Sequence, residues 1–301
     1  NTYKITYVAD GGTLSGTSPQ TYTVESNAFN LLTASRTGYS FGGWKVTAAA
    51  GNWTLDSTFA GGAEIAKGSK YGDVTLTAQW TINKYTITFK DGNSTISSLT
   101  KEYNYGSTYN YVTYSKTGYN FIGWTNTSGG STATWTSGSK QVTGNATWYA
   151  VWTVKTFTLT VDAGDGYVTA MTRWTIDATG DDPGHTSTKW DKVTFGQAYG
   201  TMPDASLTGY SFLGWFTSRT GGTKITETSI VNTETDPIVL YAHWSMQSYT
   251  ITLNTNKPTD AIGTLSIAWT TKTYTVSSGL IVIPTPSDFT NYEFIGWTGS
   301  N

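Results

Sequence analysis

One short phrase returns four times in this chain: Gly38-Tyr39-Ser40-Phe41-Gly42-Gly43-Trp44, Gly118 to Trp124, Gly209 to Trp215, and a variant from Asn291 to Trp297. The copies start roughly 80 to 90 residues apart, so the chain must fold as an array of repeated units rather than as one or two unrelated domains.

Two further phrases keep a fixed order around the first. Opening runs occupy Tyr3 to Tyr7, Tyr85 to Phe89, Phe157 to Val161 and Tyr249 to Leu253, and closing runs occupy Val74 to Trp80, Ala146 to Trp152 and Ile238 to Trp244. Strict alternation of polar and apolar residues, rich in Tyr, Ile, Thr and Trp, predicts half-buried strands. Superimposing the closing runs separates their faces. Val74/Ala146/Ile238, Leu76/Trp148/Leu240, Ala78/Ala150/Ala242 and Trp80/Trp152/Trp244 stay apolar and are expected in the core. Gln79/Val151/His243 vary, as on an exposed face. In the central phrase a glycine always precedes the tryptophan, which predicts a bulge that turns the Trp inward as a packing device.

The units run 1–82, 83–154, 155–246 with an insertion near 177–192, and 247–301. The fourth has no closing run, so an open sheet edge is expected there, to be completed by a continuing chain or by a strand from another molecule. The step from each closing Trp to the next opening aromatic is constant: Trp80 to Tyr85, Trp152 to Phe157, Trp244 to Tyr249. Linkers this short, without Gly or Pro, constrain how neighbours sit and predict an elongated, semi-rigid rod.

Charged residues make up 13% of the chain, aromatics 15%, and the formal net charge is −2. The basic residues are scattered, which argues against a nucleic-acid partner. No apolar run reaches the length of a membrane span, so no membrane insertion is expected in this segment. Without cysteine there is no disulfide framework, and large aromatic side chains must supply the core of each small unit.

The ordered trio of phrases resembles the internalin B-repeat family, the Listeria–Bacteroides type of bacterial surface repeat. The resemblance covers three complete units and the front of the fourth. It implies a mainly β, β-grasp-like unit in tandem, on an exported bacterial protein at the cell surface or secreted, acting as a stalk or adhesive array without catalytic residues. It also assigns Trp53 and Trp135 to the core, with Ile225 standing nearby in the third unit.

Two readings compete for the remaining aromatics. Tyr103, Tyr105, Tyr109 and Tyr111 form a Tyr-Asn-Gly-Ser stretch suited to adaptable contacts, or equally to strand packing. Tyr149 and Tyr241 fall on the variable face of closing runs, and Trp174, Trp190 and Trp269 lie outside the shared phrases. If exposed, these residues make a glycan-binding surface, the alternative function; an extracellular filament assembled through unit four is a further one. The expected partner is a host or neighbouring-cell surface, a glycan or another extracellular protein.

No cofactor is expected. Asp162, Asp165, Asp181 and Asp182 lie in acidic, glycine-containing turns able to hold calcium, although their spacing is not that of an EF-hand loop and Asp-Gly is equally ordinary turn chemistry. His243 reads as a surface histidine, and two histidines without cysteine cannot build the usual zinc sites. No recurrent carboxylate pair or Gly-x-Ser-x-Gly elbow supports an enzyme.

Overall fold

The opening runs form strands at Tyr3–Val8, Lys84–Asp91, Thr156–Asp162 and Tyr249–Thr252 in the computed structural model, which describes residues 1–168, 175–176 and 188–299. The chain divides into two compact units, one of Asn1–Lys116 with Asn120–Thr153 and one of Thr117–Tyr119 with Val154–Asn301. All named elements among the described residues are strands.

Three similar sheets share one order. In the first repeat the closing strand Val74–Ile82 lies between the opening strand and the phrase strand Tyr39–Ala49, parallel to the former and antiparallel to the latter. The second repeat sets Ala146–Val154 between Lys84–Asp91 and Tyr119–Thr125, and the third sets Ile238–Met246 between Thr156–Asp162 and Tyr210–Phe216. A return strand runs antiparallel along the other edge of each opening strand: Thr21–Tyr22, Lys101–Asn104 and Thr188–Thr194. The insertion expected near 177–192 is therefore in part this return strand, extended at residues 188–192. Its stretch 177–187, with Asp181, Asp182 and His185, and also Trp174, lie outside the described residues.

The predicted core faces are buried at their centres, while Ala146, Ala150, Ala242 and the closing tryptophans are half-buried. Val74, Leu76 and Ala78 are at most 3% exposed, and Leu240 is fully buried. Val151, expected outward, is also only 3% exposed, whereas Thr147 and Tyr149 on the same face are half-buried. The glycine before each phrase Trp takes a positive φ (Gly43 100°, Gly123 145°, Gly214 124°, Gly296 142°). The register shifts there, between Phe41 and Trp44 and between Phe212 and Gly214. A Cβ on Gly43 would overlap the Phe59 carbonyl oxygen, which leaves only glycine for the turn-in.

Trp44, Trp124 and Trp215 are thereby almost fully buried. Each donates its indole N–H to a carbonyl oxygen twelve residues upstream: Leu32 at 2.6 Å, Val112 at 2.7 Å and Pro203 at 2.6 Å. Trp297 makes the equivalent bond to Pro284 at 2.9 Å. A large aromatic buries about 150–250 Å², worth at most ~4–6 kcal/mol at 25 cal/mol per Å², and the bond removes the cost of hiding an indole N–H. The closing tryptophans sit half-buried on the turn after the opening strand. Trp80 donates to Ala9 O at 3.1 Å, Trp244 to Ala163 O at 3.4 Å and Trp152 to Asp91 Oδ1 at 2.9 Å. Trp53 and Trp135 lie in the core as assigned, 5% and 4% exposed, and Ile225 packs against the third core.

In the fourth repeat Tyr249–Thr252 pairs with Thr271–Tyr274. Among the described residues no closing strand lies between it and the phrase; a groove of about 690 Å³ lies there, bordered by Leu253, Phe294 and Trp297, and Ile295 is 97% exposed.

Candidate functional site

Three residues after each closing Trp, a single linker residue donates its backbone N–H to the first glycine of the phrase: Asn83, Lys155 and Gln247. Within the first unit the Asn83 N–H donates to Gly38 O at 2.9 Å, and the Asn83 carbonyl accepts the Tyr105 N–H at 2.8 Å. Ser40 Oγ donates to Asn83 Oδ1 at 2.6 Å. Asn83 thus bonds the phrase of the repeat that ends there and the strand region of the repeat that begins. The Tyr105 ring lies where a Cβ on Gly38 would be. Gly38 has φ +80°, so glycine serves both the backbone turn and the close approach.

The second unit repeats the pattern. Lys155 N–H donates to Gly118 O at 2.8 Å and Phe195 N–H donates to Lys155 O at 3.0 Å, with the Phe195 ring against Gly118. Gln247 N–H donates to Gly209 O at 2.9 Å, and Val276 takes the place of the ring. Around Gly118 a charge is added. Glu234 Oε1 accepts the Gly118 N–H at 2.8 Å and the Lys155 Nζ at 2.6 Å. The Lys155 hydrogen bond, followed by that of Gly118, holds the Glu234 carboxyl below its ordinary 4.5.

A second recurrent contact was not anticipated from the sequence. Just before each closing strand a side-chain oxygen accepts the N–H of the second residue of the opening run: Asp73 from Lys4 at 2.7 Å, Asn145 from Thr86 at 2.8 Å, Asp236 from Thr158 at 2.9 Å. The signal was an Asp or Asn at matching places in three repeats, obscured by the Asn in the second and by Pro237 after Asp236.

The tyrosine stretch is not the open surface that the contact reading needs. Tyr109 is 5% exposed and its hydroxyl accepts the Trp148 indole N–H at 3.1 Å, so it belongs to the core; Gly106 breaks the run into Lys101–Asn104 and Thr108–Asn110. Tyr103 and Tyr111 pack against the same core, and Tyr105 fills the joint. On the outer faces Tyr149 is half-buried, and the Tyr241 ring lies under Arg219 at 4.7 Å. Trp190 is in the return strand opposite Thr160. Trp269 is half-buried, with Lys272 Nζ 5.7 Å from its ring. His243 stacks on Phe216 at 3.9 Å, and its Nε2 lies 2.8 Å from Ser218 O.

Of the acidic turns, Asp162 is occupied by Gly164 N–H and Arg219, at 2.8 and 2.6 Å, and Asp165 is exposed. Among the described residues no cluster of three metal-ligating side chains occurs. One small groove of about 450 Å³ borders Arg36, Tyr39, Phe41 and Trp80, with the Arg36 guanidinium 4.0 Å above the Tyr39 ring.

A family model described as the Listeria-Bacteroides repeat domain matches residues 3–79, 85–151 and 175–243. Two curated relatives come from Evansella cellulosilytica. One, described as a Gly-rich membrane protein, is 27% identical over 273 residues, which are 87% of this chain and 28% of the relative. The other, described as a membrane protein, is 25% identical over 252 residues, 81% of this chain and 33% of the relative. The chain spans a third or less of the length of these relatives. No helix among the described residues is long and apolar enough to cross a membrane.

Proposed function

Because this bacterial chain belongs to the Listeria-Bacteroides repeat domain family, in three tandem copies, we propose that it is a semi-rigid, non-catalytic stalk segment of an exported surface protein. The observation that carries this reading is the joint. The same linker position makes the same backbone bond to the same phrase glycine at Asn83, Lys155 and Gln247, with a side chain seated on that glycine each time. A flexible tether has no use for such a contact, whereas an array that must hold its direction requires one at every step. The relatives' description as membrane proteins supports a place at the cell envelope, and the matched family is a repeat domain rather than a catalytic one.

Each complete repeat is read here as a β-grasp-like unit, a reading supported by the parallel pairing of its first and last strands. Spin labels on T54C and S128C, in a chain free of native cysteine, test the joint around Asn83. A narrow distance distribution is expected; one as broad as that of a Gly-Ser linker would overturn the reading.

A glycan-binding role is supported by the groove beside Trp80. Titration with soluble glycans, followed by Trp fluorescence in the wild type and W80F, tests it; a saturable change lost in W80F is required.

A further inference from the structure

We propose that each complete repeat is a mechanical clamp loaded in shear, so that the array carries tension along the chain. The proposal takes its biological use from the stalk reading, but its mechanics rest on strand topology. In the first repeat the chain enters at the Tyr3 end of the opening strand and leaves at the Ile82 end of the closing strand. These strands are parallel, in register from Ile5 opposite Val74 to Val8 opposite Thr77. Entry and exit thus lie at opposite ends of one hydrogen-bonded pair, and tension can only slide the strands past each other. Bonds loaded that way share the force and must break together, whereas strands pulled from the same end peel one bond at a time.

The second and third repeats have the same pair, Ile87 opposite Ala146 to Lys90 opposite Tyr149 and Leu159 opposite Ile238 to Asp162 opposite Tyr241. Three features reinforce the clamp. The closing strand is held on its other edge by the phrase strand, from Tyr39 opposite Ile82 to Ala49 opposite Val74. Ile5, Leu76, Ile87, Leu159 and Leu240, on the clamp strands, are at most 3% exposed, so water is kept from the bonds that bear the load. Asp73, Asn145 and Asp236 each add a bond to the second residue of the opening run, at the end where tension enters. The fourth repeat is an internal control. Its opening strand has only the antiparallel partner Thr271–Tyr274 among the described residues.

The test is single-molecule stretching of the whole chain held by its two ends, where resistance is governed by the unfolding barrier rather than by equilibrium stability. Three resistant ruptures are expected, the longest released length from repeat three and the shortest from repeat two, with no resistant rupture from residues 247 onward. N145A should lower the force of the shortest-length rupture alone. V142A, which truncates a buried core residue outside the two clamp strands, should lower thermal stability while leaving that force nearly unchanged. Moving one handle to K70C, so that the first clamp is pulled from the same end of both strands, should lower its rupture force several-fold.

The proposal is overturned if repeats one to three give way as easily as the fourth, or if the K70C geometry is equally resistant. A rod-like scattering profile would in that case leave the stalk reading intact. Resistant repeats in a compact particle would instead sink the stalk and keep the clamp.

Discussion

The ring of Tyr105 rests on Gly38, sixty-seven positions earlier in the chain, in the space that any side chain at Gly38 would fill. Through this contact a phrase glycine in one repeat fixes an aromatic of the next, and Asn83 bonds to both backbones.

Gly38→Ala places a Cβ at φ +80° and against the Tyr105 ring. The left-handed backbone costs about 1–2 kcal/mol, and displacing the ring adds about 1–3 kcal/mol. Thermal unfolding of the first unit should shift down accordingly. G38A/Y105A should recover the steric part and leave the backbone part; equal losses in the single and double variants would show that the ring contact is not the cause.

Trp44→Phe removes the indole that donates to Leu32 O and leaves a small void in a fully buried site. An unpaired buried carbonyl costs about 1–3 kcal/mol, with a cavity contribution on top. A total of about 2–4 kcal/mol is expected by denaturant unfolding. A loss below about 1 kcal/mol, within the range of tolerated core swaps, would mean that the repeated Trp bond is incidental.

The repeats, their strands and the core faces of the closing runs were legible because alternation is local: Val74, Leu76 and Ala78 declare their face within a few residues. The Gly-Trp bulge was legible for the same reason. The linker spacing pointed to the joint, but the partners were hidden, since Gly38 and Tyr105, or Gly118 and Phe195, meet through tertiary packing that no period records. Tyr109 was ambiguous because the features that make tyrosine a good surface contact also make it a good strand residue, and only its bond to Trp148 decides. The central place of the closing strand, parallel to the opening one, left no local signature at all.

Tyr22 should matter more than an ordinary core tyrosine. Its hydroxyl accepts the Trp53 indole N–H and donates to Gly72 O, both at 2.7 Å. Y22F strands both partners and should cost about 1–3 kcal/mol. Burial also raises the Tyr22 pKa above its ordinary 10.0. A raised phenol contributes stability that is fully present below the unfolded pKa and lost as pH rises through the folded one. The stability gap between wild type and Y22F should therefore narrow above pH ~10, and a gap that widens there would contradict the assignment.

Glu234 gives the opposite sign. Its carboxyl is held low by Lys155 and Gly118, so its contribution is present above the unfolded carboxylate pKa and lost as pH falls through the folded value. The melting-temperature difference between wild type and E234Q should be constant near neutrality and shrink below pH ~4.5. A difference indifferent to acid would show that the side chain is simply solvated.

The central claim is that jointed repeats form a stiff, extended segment, and small-angle scattering over a concentration series tests it most directly. The account predicts a concentration-independent elongated particle of roughly 100 Å or more, from units about 30 Å across by compact-domain scaling. A compact particle would contradict it, as would one that grows with concentration.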